Sequence, residues 1–315
     1  MPKKFHYDFK LDDRINSYRI VRWTEEKLMK GKGIENRPVK SGIRGIVTAL
    51  FLILSCTAVH AETMLLSNVP DYAWQYGCSP TSATMLAAYY ADNGHDGLSY
   101  SNLMPGFSSV PLNSFSDPSV VDSVINTMAT DMGTDKGAPA SPAGTGDTTF
   151  WYLTNGAEWT VADDLAYGYT PSLEDGLYEY VTNAGYHITT SDVFNQLIYG
   201  YNGNTQGFTF AQYENQINQG MPLLIELNGH TMLGYGYSND GGSDTVYVHD
   251  TWNSGGGSMT WGGSYGGYDM VAVTDLLIEG GSPSSVPEPC TLLLLCSGMI
   301  VFSGPYFRSK FQKRV

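Results

Sequence analysis

Basic side chains are almost missing from the body of this chain. Of its 17 lysines and arginines, 12 precede residue 62 and four follow residue 307, so Lys136 stands alone between them against 25 acidic side chains. The formal charge of that interval is −24, far more acidic than the −14 of the whole chain. Such a surface repels nucleic acid and anionic lipid, which excludes both as partners. Cysteine is scarce in the same interval. Cys56 lies in an apolar segment near the start, Cys290 and Cys296 in another near the finish, and only Cys78 in the body. A single thiol excludes an intramolecular disulfide, the usual reason for cysteine in an exported domain. There is no internal repeat and no clean calcium loop. Asn239-Asp240-Gly241-Gly242-Ser243-Asp244 is acidic and glycine-rich, but reads as a hairpin turn. No metal or organic cofactor is implied.

The two ends read as targeting segments. Residues 46–55 form an apolar run too short to span a bilayer, preceded by Lys40 and Arg44 and followed by Val59-His60-Ala61. This is the pattern of a secretory signal cleaved after Ala61, with residues 1–61 as leader and Met29 as an alternative start. Ile53-Leu54-Ser55-Cys56 fits a lipoprotein box less well. At the other end, a Gly/Ser/Pro linker at 280–285 leads to Val286-Pro287-Glu288-Pro289. An apolar stretch over about 290–307 follows, then Arg308, Lys310, Lys313 and Arg314. The stretch is a transmembrane candidate whose basic end stays cytoplasmic. Motif, span and basic tail in this order resemble a PEP-CTERM sorting signal over 286–315. That resemblance implies recognition by an exosortase in the inner membrane of a Gram-negative bacterium and removal of the anchor. The expected location is then the cell envelope, outer surface or extracellular matrix, after a transient stay in the inner membrane.

Residues 62–279 remain, enough for one large domain. Helical periodicity appears at 80–90, where Ala83, Leu86, Ala87 and Tyr90 share a face and Pro80 sits near the first helical position. Residues 101–156 read as a loop-rich insertion with a short helix near 119–128. Helices are expected at 161–165, 173–184 and 192–199. Thr209-Phe210-Ala211-Gln212 is a capping box that opens another helix, ending near Gly220. Strands follow at 222–228, 230–237, 245–250, 258–261 and 270–273. Helices first and an antiparallel sheet afterwards predict an α+β domain.

Cys78 opens the first helix, where the dipole and the first-turn N–H groups stabilise a thiolate. The alternative is a small buried apolar residue. A nucleophilic thiol needs a base, and the base needs a third group to fix its tautomer. Of the histidines in the body, His95 falls in a turn expected to be exposed, and His187 starts a short stretch with no partner apparent. His249 precedes Asp250 and is expected to point to the opposite face. His230 follows Asn228-Gly229 and begins a strand. If the next turn centres on Asp240, His230 lies directly opposite Asp250, with Cβ atoms about 4.5–5.5 Å apart. A one-residue slip would send the two to opposite faces.

Trp74-Gln75-Tyr76-Gly77-Cys78-Ser79-Pro80-Thr81-Ser82-Ala83-Thr84-Met85-Leu86 resembles the nucleophile segment of the bacteriocin-processing peptidases of family C thirty-nine and their relatives. Ile217-Asn218-Gln219-Gly220-Met221-Pro222-Leu223-Leu224-Ile225 through Gly229-His230-Thr231-Met232-Leu233-Gly234-Tyr235-Gly236-Tyr237 resembles their histidine segment, and Val246-Tyr247-Val248-His249-Asp250-Thr251-Trp252 their acidic one. The resemblance implies a papain-like cysteine peptidase fold, with an N-terminal nucleophile helix packed on a C-terminal antiparallel sheet. It implies Cys78 as nucleophile, His230 as general base and acid, and Asp250 as the residue orienting His230. Papain-like enzymes usually carry a glutamine about six residues before the cysteine. Here that position is Tyr72, and the nearest glutamine is Gln75. Three alternatives stay open: Gln75 supplies the oxyanion donor from an altered loop, the Cys78 N–H acts with another donor, or hydrolysis is weak or absent.

The sequence therefore predicts a secreted thiol peptidase that acts on peptide or isopeptide bonds at the cell envelope, processed by signal peptidase and exosortase. The rival is an envelope or matrix binding module that keeps the fold and hydrolyses little or nothing.

Overall fold

The computed structural model describes residues 62–135, 145–239 and 243–278. The signal segment, the Val286–Pro289 motif and the apolar stretch at 290–307 lie outside the described residues. Among the described residues, no helix is long and apolar enough to cross a membrane. The described chain up to Leu277 belongs to one compact unit.

The first helix, α1 (Cys78–Asn93), is buried continuously from Cys78 to Tyr90. Small residues at Ser79, Ser82, Ala83, Ala87 and Ala88 let it sit close to its neighbours. It ends at Gly94, whose positive φ of 67° lets its N–H return to the Tyr90 carbonyl. Helix α2 (Asp122–Asp131) follows a short 3-10 turn, slightly later than the expected 119–128. Helices α3 (Val161–Tyr167) and α4 (Leu173–Asn183) come next. Helix α5 (Phe210–Asn218) opens with the expected capping box: Thr209 Oγ1 accepts from the Gln212 N–H while the Gln212 side chain accepts from the Thr209 N–H.

The strands are β1 (Glu62–Leu65), β2 (Trp159–Thr160), β3 (Val193–Leu197), β4 (Leu223–Leu227), β5 (His230–Asn239), β6 (Asp244–His249), β7 (Gly257–Thr260), β8 (Ser264–Tyr265) and β9 (Tyr268–Leu276). All pair antiparallel, in the order β2-β3-β9-β4-β5-β6-β7, with β1 beside the far half of β5 and β8 beside β9. The domain is thus α+β.

One expected helix is a strand. Residues 193–197 are fully buried and pair with β9 on one edge and β2 on the other. A five-residue run with Val and Phe at its start suits a strand flanked on both sides. That pairing overrides the weak helical spacing of its apolar positions.

Alternation along β4 decides what each face of the sheet meets. Leu223, Ile225 and Leu227 join Phe210, Tyr213 and Ile217 of α5 in the main apolar core. Leu224 and Glu226 face the other way, toward α1, which packs on β5. Helices α2 and α4 pack against each other and against α1. The N-terminus of α1, and Cys78 with it, therefore lies over the β4–β5 hairpin.

Candidate functional site

Cys78 is the cysteine of the described residues and forms no disulfide. No side chain caps α1, so the positive end of its dipole is presented at the thiol. The chain enters this position through a tight turn: the Gly77 N–H reaches back to the Gln75 carbonyl, and Tyr76 takes a φ of 59°. Thr81 clamps the turn from inside the helix, its one hydroxyl hydrogen shared between the Gln75 and Gly77 carbonyls while its oxygen accepts from the Gln75 N–H. A non-glycine residue held at positive φ two residues before a buried thiol is the kind of strain that clusters at working sites.

His230 begins β5 and is 2% exposed. Its Nε2 lies 2.8 Å from the backbone carbonyl oxygen of Asp250. A carbonyl only accepts, so Nε2 carries the proton and the neutral ring leaves Nδ1 as the basic nitrogen. Trp252 stacks on the imidazole, centroids 3.7 Å apart and planes 16° off parallel. Burial lowers His230 to about 4, against the raising effect of the Asp250 carbonyl and charge, so the ring is neutral at pH 7.

The expected pairing of His230 with Asp250 across the ladder is corrected. The register joins Leu233 to His249 and Gly234 to Val248, then shifts at a bulge so that Gly236 meets Tyr247. That ladder does not extend to His230, whose partner on the other edge of β5 is Leu227 of β4. Asp250 comes to His230 from the loop after β6, and it presents its main chain. Its carboxylate accepts from the Trp252 and Asn253 N–H groups, the Asn253 amide and the Tyr265 hydroxyl at 2.7–2.9 Å. Burial works against the carboxylate, but these four donors hold it below the usual aspartate range. The side chain builds the turn that carries Trp252 over the imidazole. Thr251 inside that turn has a φ of 62°, and its carbonyl accepts from the Trp74 N–H.

Two other histidines lie outside this pair, and one of them differs from expectation. His249 is buried, stacks on Tyr235, and sets Nδ1 3.3 Å from Asp71 Oδ1, while Asp71 Oδ2 accepts from the Gly255 N–H. This pair ties the Asp250 loop to the segment before α1. The His95 ring is covered edge-on by Tyr90 and is buried rather than exposed as expected. Gln75 is not brought to the thiol. Its amide donates to the Pro118 carbonyl, because the turn at Tyr76 sends the side chain outward.

Cys78 and His230 line one small cavity together with Gly229, Trp74 and Trp252. Thr145, Gly146 and Asp147 close it from outside, leaving about 10 Å³, room for no more than a single water. Gly146 lies so close to Gly77 that a Cβ on Gly77 would sit 2.7 Å from the Gly146 carbonyl oxygen. A Cβ on Gly146, at a φ of 78°, would sit 2.9 Å from the Trp74 ring. Gly146→Ala is therefore expected to push this strap off the cleft and speed alkylation of Cys78 several-fold. An unchanged rate, read by mass spectrometry of the Cys78 peptide, would show that the strap does not limit access.

Sequence reasoning missed Glu226, which is fully buried beneath the thiol. Its signal was an acid inside the apolar run Leu223-Leu224-Ile225-Glu226-Leu227.

Among known families, the Peptidase_C39 like family matches residues 66–265. No curated protein and no solved structure shows a significant match.

Proposed function

The chain belongs to that peptidase family, and on this premise we propose that it is a secreted papain-like thiol peptidase, cleaving peptide or isopeptide bonds at the bacterial cell envelope. One observation carries the reading: a disulfide-free thiol at a helix N-terminus shares a cavity with a histidine whose tautomer leaves Nδ1 basic. Cys78 Sγ attacks the carbonyl carbon as His230 takes the thiol proton. His230 then gives that proton to the leaving amine, and water releases the acyl group from the thioester. Asp250 orients His230 through its carbonyl and through Trp252. With Gln75 turned away, the Cys78 N–H at the start of α1 serves as one donor to the developing oxyanion, acting with another. The leader at 1–61 and the tail at 286–315 support export, with signal peptidase and an exosortase as processing partners.

The closed cleft favours a second reading, an envelope or matrix binding module that retains the fold. The two separate on thiol reactivity. Treated with iodoacetamide at about pH 6–7, Cys78 in the full chain is expected to react at least about tenfold faster than free cysteine, as low-pKa thiols do. A rate no greater than that of free cysteine would rule out the peptidase.

A further inference from the structure

A line of buried polar groups runs under the thiol. Ser79 Oγ, one residue after Cys78, lies 2.8 Å from Thr231 Oγ1, which is 2.7 Å from Glu226 Oε2. Glu226 Oε1 lies 3.1 Å from Thr274 Oγ1, itself 2.7 Å from Asn195 Oδ1. The Asn195 amide donates to the Trp151 carbonyl, which fixes Oδ1 as an acceptor. Ser79, Thr231, Glu226, Thr274 and Asn195 are all fully buried.

Proton counting fixes the direction of this line. Each hydroxyl has one hydrogen to donate. Thr274 spends its hydrogen on the nearer Asn195 oxygen, so for the 3.1 Å contact to be a full, unshared hydrogen bond its hydrogen comes from Glu226. Thr231 donates to Glu226, so Ser79 donates to Thr231. With one proton on Glu226 Oε1, the line reads Ser79 to Thr231 to Glu226 to Thr274 to Asn195, and every member is satisfied. Without that proton, the single Thr274 hydrogen must be shared between the Asn195 oxygen and a buried carboxylate, or one of the two is left with no donor, a costly arrangement.

We propose that Glu226 is a positioning residue of the thiol site: as a neutral carboxylic acid it holds Ser79, and with it the first turn of α1, and its ionisation sets an upper pH boundary on the reactivity of Cys78. This rests on the reading of Cys78 as a nucleophile. The charges that could face Glu226 are few. From α1 comes Cys78 and from β5 comes His230, while β9 and β3 present only the neutral Thr274 and Asn195. Asp275, next to Thr274, is bonded to Gln216 of α5 on the opposite face of the sheet. The described residues contain no lysine or arginine to stabilise a carboxylate. Burial accordingly pushes Glu226 up to about 8, with negative charge at Cys78 adding to the rise. A thiolate at Cys78 and a carboxylate at Glu226 then compete, since each makes the other harder to form.

The test is the pH profile of Cys78 alkylation by iodoacetamide, measured on the full chain from about pH 5 to 10. Wild type is expected to titrate in two steps, the upper near pH 8, with at least about a threefold change in rate across it. Glu226→Gln, which keeps the donor toward Thr274 and the acceptor for Thr231 but cannot ionise, is expected to titrate in one step. Superimposable profiles from two folded proteins would overturn the role. If the variant fails to fold, a single step in wild type overturns it equally. The nucleophile reading fails differently: Cys78 would then react no faster than free cysteine at any pH, whereas a fast thiol with one step removes Glu226 alone.

Discussion

Replacing His230 by alanine is expected to slow peptide cleavage by Cys78 by about 10²–10⁴, the range for a lost general base. The argument starts from the tautomer. The Asp250 carbonyl holds Nε2–H, so the basic lone pair is on Nδ1 of a ring that lines the same cavity as the thiol. Burial keeps that ring uncharged down to about pH 4. The base form therefore dominates at every pH above that, and kcat/KM should lose its acid limb only near pH 4, not near the 6.5 of an ordinary histidine. Hydrolysis of a mixed peptide pool, followed by mass spectrometry across pH, reads both quantities. His230→Gln separates chemistry from packing, because its amide can still donate to the buried Asp250 carbonyl while offering no base. Activity within about threefold of wild type in both variants would remove His230 from the mechanism; that margin lies well below the smallest effect expected of a base.

The parts of this site that could be read in the sequence are those set by local chemistry. Helix α1 follows from the apolar spacing and from Pro80 in its first turn, and α5 from the reciprocal bonds of Thr209 and Gln212. The hairpin strands were legible because Asn228-Gly229 and the acidic turn after Asn239 bracket them. Parts set by pairing at a distance were not. Residues 193–197 become a strand because β9 and β2 wait on either side. The bulge between Gly234 and Gly236 inserts one residue into β5, which no turn motif announces. Asp250 was identified as belonging beside His230, yet it meets the ring through its carbonyl, because four donors, three of them in its own loop and one from Tyr265, capture the carboxylate. Strands β1 and β2 went unread, being four and two residues long.

Raising the pH from about 6.5 to 8.5 is expected to destabilise the folded domain by about 2–3 kcal/mol, a fall in Tm of about 5–10 °C for a domain this size. The cause is the missing basic side chain. With no lysine or arginine among the described residues, buried carboxyls have no cation to pair with, and protonation is what neutralises them. Glu226 is held up to about 8 by burial and Asp275 to about 7 by burial. Glu174, fully buried beside Asp164, is raised in the same way. A carboxyl whose folded pKa lies above its unfolded value contributes stability that is complete below the unfolded value and is lost as pH rises through the folded one. His230 and His249, both lowered by burial, act in the opposite direction; at pH 6.5 an unfolded imidazole is still half protonated, so each returns about 0.4 kcal/mol more as the pH rises, a smaller effect that is complete about one unit higher. Asp250, held below its usual range by its hydrogen bonds, matters only in acid. The raised carboxyls therefore outweigh the histidines over this interval and act unopposed above about pH 7.5. Thermal melts followed by circular dichroism on the full chain at pH 6.5 and 8.5 measure the difference, and Glu226→Gln with Asp275→Asn should flatten it. A Tm that holds or rises over this interval would mean that these carboxyls are already ionised in the folded state, and the proton assigned to Glu226 beneath Cys78 would go with them.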